Sequence, residues 1–166
     1  MVATTPASAT PARDVQSLPI GLDTTVLRSR TWERLKFEIE YSRRRGTTAN
    51  AYLIDAAAIA LLDPPGEAFT ETFLADLLPR LGGRAIDYLI LGHVNPNRGA
   101  TLGKLLDHWP QATLVCSNPA AQTLKSLFSD RELRIQIVKG EDTLDLGRGT
   151  NCNLCRSRRP AGPIAS

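Results

Sequence analysis

Short apolar runs of strand length alternate with helical stretches over the middle of the chain. Residues 35–40 alternate apolar and charged side chains, the period of a half-exposed strand. Residues 43–48 form a basic, glycine-containing turn, and 51–54 and 58–62 read as two short strands around a tight connection. Asp63-Pro64-Pro65-Gly66 stops the second of these, because neither proline can donate to a ladder. Over 67–81, Phe69, Phe73, Leu74, Leu77, Leu78 and Leu81 share one helical face, and Gly82-Gly83 ends the helix. Residues 86–91 are an apolar run with Gly92-His93 at its carboxyl end. The pattern then predicts a helix over 102–108, a strand over 113–116 and a helix over 120–128. Residues 133–138 alternate again, and 142–146 are expected to pair with them. Strands first, then β-α-β-α-β, give an α/β or α+β fold with a largely covered sheet and no internal repeat.

The two ends read differently. Residues 1–19 are rich in Ala, Thr, Ser and Pro and hold two charges, Arg13 and Asp14. They lack the basic region, apolar core and cleavage site of a secretory signal, and the arginines of a transit peptide. A disordered leader over 1–25 is expected. After Gly147 the periodicity lapses: Leu154 and Ile164 are the only large aliphatic residues of 150–166, and that tail too is expected to be disordered. The remaining 26–149 then form a single domain with one core, within a chain of 166 residues of which 42% are hydrophobic. No run approaches the roughly 20 apolar residues of a membrane helix, so no membrane span is expected.

The net charge of +3 changes little. Residues 148–166 hold Arg148, Arg156, Arg158 and Arg159 and no acid; without them sixteen basic residues face seventeen acidic ones. The basic excess sits in the tail, and a nucleic-acid face on the folded body is not expected. Cys116, Cys152 and Cys155 do not make a disulfide framework in a chain of this size, and a reducing, cytoplasmic setting is expected. Cys116 ends an apolar run and reads as a small core residue. Cys152-Asn153-Leu154-Cys155 is a C-x-x-C, but no second pair and no nearby histidine supports a zinc or redox reading.

The informative chemistry lies in residues 91–98, LGHVNPNR, because a loop leaving the carboxyl end of a buried strand is where α/β proteins place ligands. His93 is either a metal ligand or a hydrogen-bonded loop residue. His108, beside Trp109-Pro110, reads as a helix-end cap.

Several segments in order resemble one family, the diflavin flavodiiron proteins of cyanobacteria and chloroplasts. They are RSRTWERLKFEIEY (28–41), RGTTAN (45–50), LDPPG (62–66), LGHVNPNR (91–98) and VKGEDTLDLG (138–147). The resemblance spans about residues 15–149 and implies the first half of an αββα metallo-β-lactamase-like sandwich, truncated. It implies di-iron and FMN in the intact family, which passes electrons from NAD(P)H through flavin to oxygen and forms water. The superfamily's metal motif has the form H-x-[E/H]-x-D-H. Aligned on it, His93 keeps the first ligand position, while Asn95, Asn97 and Arg98 stand where glutamate, aspartate and the second histidine belong. Neutral amides are weaker ligands for iron, and an arginine repels it. No cofactor is therefore expected in this chain. The Asn-Pro-Asn-Arg pattern is similar to a ligand-poor branch whose members pair with a ligand-complete flavodiiron subunit. The setting implied is a photosynthetic cell, in the cytoplasm or at the thylakoid.

The tail has an explanation in the same terms. Residues 149–165 can be encoded so that restoring one base after the codon for Gly149 yields GHELQFVPVPTPRWPDS, a strand-like string ending in a segment that resembles the family's continuation. Residues 150–166 are thus expected to be a frameshifted tail. A chain stopped near Gly149 is expected to expose an apolar sheet face and to aggregate or be held by chaperones. Three readings follow: a flavodiiron fragment inactive alone, a fragment that docks on an intact flavodiiron subunit, and a metallo-β-lactamase-type hydrolase. Elemental analysis separates the last from the others.

Overall fold

The computed structural model describes residues 13–33, 46–92 and 94–154, and within them a seven-stranded sheet runs in chain order. β1 (Arg13–Pro19), β2 (Thr24–Thr31), β3 (Thr47–Asp55) and β4 (Ile59–Leu62) pair as an antiparallel meander. β5 (Tyr88–Leu91), β6 (Thr113–Cys116) and β7 (Ile135–Ile137) then continue from β4 in parallel. Parallel neighbours need a crossover. Here α1 (Thr70–Leu81), α2 (Gly99–His108) and α3 (Asn118–Leu127) supply them, α1 being preceded by a short 3-10 turn at Glu67–Phe69.

The helices share one face of the sheet. Phe73, Leu74, Leu77 and Leu81 of α1, Leu102, Leu105 and Leu106 of α2, and Ala120, Ala121 and Leu124 of α3 form one buried cluster with Leu27, Leu53, Leu61, Leu89, Leu91, Leu114 and Cys116 of the strands. These strand residues are alternate positions, as the two-residue period requires. Thr70 and Thr101 bring a hydroxyl pair at 2.7 Å into the seam between α1 and α2. Gly82 ends α1 in the left-handed region, where its amide bonds the Pro79 carbonyl.

The other face carries Ile54, Ala60, Ile90 and Val115, and they too are buried. A separate hairpin of β8 (Asp142–Asp145) and β9 (Asn151–Leu154) lies on them, contributing Leu144 and Leu146 to the same cluster with Cys152 and Leu154 packed against it. The expected bare apolar face is therefore not what this fold presents, because the hairpin covers it. Among the described residues the exposed large apolar side chains are elsewhere: Leu18, Ile20, Leu22 and Trp32 along the β1–β2 edge, Leu127 in α3 and Ile137 in β7.

Three further expectations change. Residues 13–25, assigned to a disordered leader, form β1 and the start of β2. An edge strand needs little apolar content of its own when a neighbour supplies its hydrogen bonds, and Val15 packs on the core. Residues 142–146 pair not with β7 but with β9. Gly147, Arg148 and Gly149 all take positive φ and turn the chain back, so that the Leu146 amide donates to the Thr150 carbonyl 2.9 Å away. That pairing also orders residues 151–154, which the lapse of periodicity had placed in a disordered tail; four residues are too short a window for a period to be read. The strand expected over 35–40 and most of the turn over 43–48 lie outside the described residues, with Thr47 and Thr48 in β3. No helix among the described residues is long and apolar enough to cross a membrane.

Candidate functional site

The site forms where β4 and β5 end side by side. β4 stops at Leu62, and Asp63 turns out of the sheet at φ 47, before Pro64 and Pro65. Its amide still donates to the Ile90 carbonyl at 2.9 Å, which keeps it beside β5. Its carboxylate reaches across: Oδ1 accepts the Gly92 amide at 2.9 Å and Arg98 Nη1 at 2.9 Å. Gly92 is glycine for a steric reason, since a Cβ there would lie 3.0 Å from Asp63 Oδ2.

Beyond Gly92 the loop winds into a short 3-10 turn at Pro96–Arg98 that opens into α2. Asn95 is extended, and its carbonyl accepts the Arg98 amide at 3.1 Å. Asn97 lies against Gly66, and its Oδ1 is buried without a hydrogen-bond partner among the described residues. The Arg98 side chain is 17% exposed, its partner Asp63 37%. Three of the four positions singled out in the sequence thus gather on one loop, and Asp63 joins them. His93 lies outside the described residues.

Asp63 is the residue that sequence reasoning missed, having been read as part of a strand stop. The available signal was an ionisable side chain at the carboxyl end of a strand.

The donor set of the described residues does not fit a pair of iron ions. Asn95 and Asn97 offer neutral amides, Arg98 offers only donors, and the carboxylate that reaches the loop is already used by Arg98 and Gly92. A cation placed about 4 Å from the guanidinium meets a repulsion of about 4 kcal/mol per unit charge at an effective dielectric of 20. Among the described residues no group of three His, Cys, Asp or Glu side chains is placed to hold a metal.

The other candidates stay apart from this loop. His108 closes α2 with its ring 5.5 Å from that of Trp109. Cys116 is buried in β6, and Cys152, in β9 of the hairpin, is half-buried; burial raises both thiol pKa values. Cys155 lies outside the described residues. A cleft of about 280 Å³ opens beside the end of α3, lined by Lys125, Phe128, Ser129, Arg131 and Leu133, with Arg131 paired to Asp107.

Known proteins match this architecture closely. A putative diflavin flavoprotein A 3 from Synechocystis is 58% identical over 155 residues, covering 92% of this chain and 26% of the relative. A putative diflavin flavoprotein A 4 from Nostoc is also 58% identical, over 151 residues, covering 91% and 26%. The metal-soaked Flv1 flavodiiron core from Synechocystis superposes with a TM-score of 0.79 at 61% identity, over 85% of this chain and 36% of that one. The chain belongs to the diflavin flavoprotein A family. Its described part is the metallo-β-lactamase-like region of the flavodiiron core, and the mixed α/β fold read from the sequence holds. The chain spans about a quarter of the length of the diflavin flavoproteins it matches. No protein-family model matches it.

Proposed function

We propose that this chain supplies part of the metallo-β-lactamase-like domain of a diflavin flavoprotein, and that its loop at the end of β5 is not an oxygen-reducing iron centre. The intact protein in this reading passes electrons from NAD(P)H through flavin to oxygen, giving water. The observation that carries the proposal is the chemistry of the loop: amides at Asn95 and Asn97, and at Arg98 a guanidinium bound to the carboxylate of Asp63. A chain of this kind is a member of the ligand-poor branch. Oxygen reduction then falls to a ligand-complete flavodiiron subunit with which it associates.

Anaerobic loading with ferrous iron, followed by desalting and elemental analysis, tests the first part. Far less than one iron per chain is expected, and no NAD(P)H-dependent oxygen uptake. Two tightly held irons per chain would sink the reading, and retained zinc with hydrolytic turnover would favour the hydrolase instead. Co-purification with a tagged, ligand-complete flavodiiron subunit tests the association, and its absence at micromolar concentrations would refute that part.

A further inference from the structure

The described residues of the loop make specific contacts although Asn95, Asn97 and Arg98 do not suit a metal, and this calls for a physical cause. We propose that Arg98 is the built-in cation of the loop: its guanidinium, tied to Asp63, fixes the loop after β5 to the end of β4 without a metal ion. The proposal rests on the reading above that no iron occupies this place.

The geometry supports it at several points. One carboxylate oxygen, Asp63 Oδ1, accepts from Gly92 at the loop's start and from Arg98 at its end, so a single atom closes the loop. Asp63 is held where an L-residue is rare, at φ 47 and directly before a proline, both of which oppose the conformation. Such a residue persists only where its surroundings over-determine it. The Ile90 carbonyl, the Gly92 amide and Arg98 do so here.

Arg98 is also unlike the other described ion-paired arginines. Its side chain is 17% exposed, against 31–51% for Arg13, Arg30, Arg80, Arg84 and Arg131. Surface pairs of the second kind contribute little. A guanidinium withdrawn from water is more costly to leave unpaired, so Asp63 and Arg98 hold each other in place. Its planar fork bonds in a fixed direction, which a lysine ammonium does not reproduce.

Amide hydrogen exchange by NMR on the 166-residue chain tests this. Arg98→Gln should speed exchange at Gly92 roughly tenfold, the scale of one charge-assisted hydrogen bond. Arg98→Lys should give a smaller increase, which keeps the test usable if Arg98→Gln does not fold. Asp63→Asn combined with Arg98→Gln should cost no more than Asp63→Asn alone, while amides in the middle of α1 and α3 keep their rates. Exchange at Gly92 unchanged in Arg98→Gln, with no iron bound to the wild type, would overturn this proposal and leave the metal-free reading intact. Added ferrous iron that slows exchange at Gly92 in the wild type would overturn the metal-free reading itself, and the role of Arg98 with it.

Discussion

Leu146→Ala probes the docking of the hairpin on the second face of the sheet. Leu146 is 1% exposed and packs in the cluster of Ile54, Ala56, Ala60, Ile90, Val115 and Leu144, while its carbonyl accepts the Ala58 amide at 2.9 Å. Removing three buried carbons forfeits about 2 kcal/mol, at roughly 0.8 kcal/mol per carbon. A cavity adds to this, and buried Leu→Ala changes cost roughly 3–5 kcal/mol in all. A value near the lower end, about 3 kcal/mol, is expected, because a two-stranded hairpin can settle into the gap. In a chain of this size that lowers Tm by roughly 6–12 °C. Leu154→Ala, at the half-buried far end of β9, should cost about 1 kcal/mol. Urea melts followed by circular dichroism measure both. If Leu146→Ala costs less than about 1 kcal/mol, and the wild type binds a hydrophobic dye, the hairpin is not docked in solution and the second face is bare after all.

Other perturbations follow from single contacts. Gly147 has φ 78, and a Cβ there would fall 2.6 Å from Ala57 Cβ, so Gly147→Ala should cost about 2 kcal/mol or more, and Ala57→Gly should recover only the steric part. Thr70 Oγ1 bonds both the Glu67 carbonyl and Thr101, so Thr101→Val leaves it the Glu67 bond, whereas Thr70→Val strips Thr101 of its one side-chain partner among the described residues; urea melts should show the second change costing about 1 kcal/mol more. Hydrogen bonds from Arg30 and Arg84 hold the carboxyls of Asp14 and Asp55 below their ordinary values. Their contribution is present above the unfolded value of about 4 and is lost as pH falls through the lower folded values, so acid titration of stability should be flatter in Asp55→Asn. Burial raises the thiols of Cys116 and Cys152, so both should resist alkylation at neutral pH until the chain unfolds; rapid native-state labelling of Cys152 would argue that β9 is detached.

Local periodicity carried much of the architecture. The helical faces of α1, α2 and α3, the strands β4 to β6, and the stop at Asp63-Pro64 all follow from side-chain spacing and from proline's missing donor, which act over a few residues. The position of the candidate loop was legible for the same reason: an apolar run of strand length ends at Leu91, and Asn95, Asn97 and Arg98 stand just beyond it. That Asn95, Asn97 and Arg98 offer a metal neither a carboxylate nor an imidazole needed only their chemical identities.

Pairing was decided by the tertiary structure. β1 carries little apolar signal because β2 supplies its hydrogen bonds, and β8 joins β9 because three positive-φ residues reverse the chain between them. Which face the hairpin covers is fixed by Leu144 and Leu146 meeting Ile90 and Val115, residues distant in sequence. The bond between Asp63 and Arg98 spans 35 positions and belongs to the same class. Each residue's chemistry is written in the sequence; that one carboxylate oxygen meets both ends of a loop is set by two strands ending side by side.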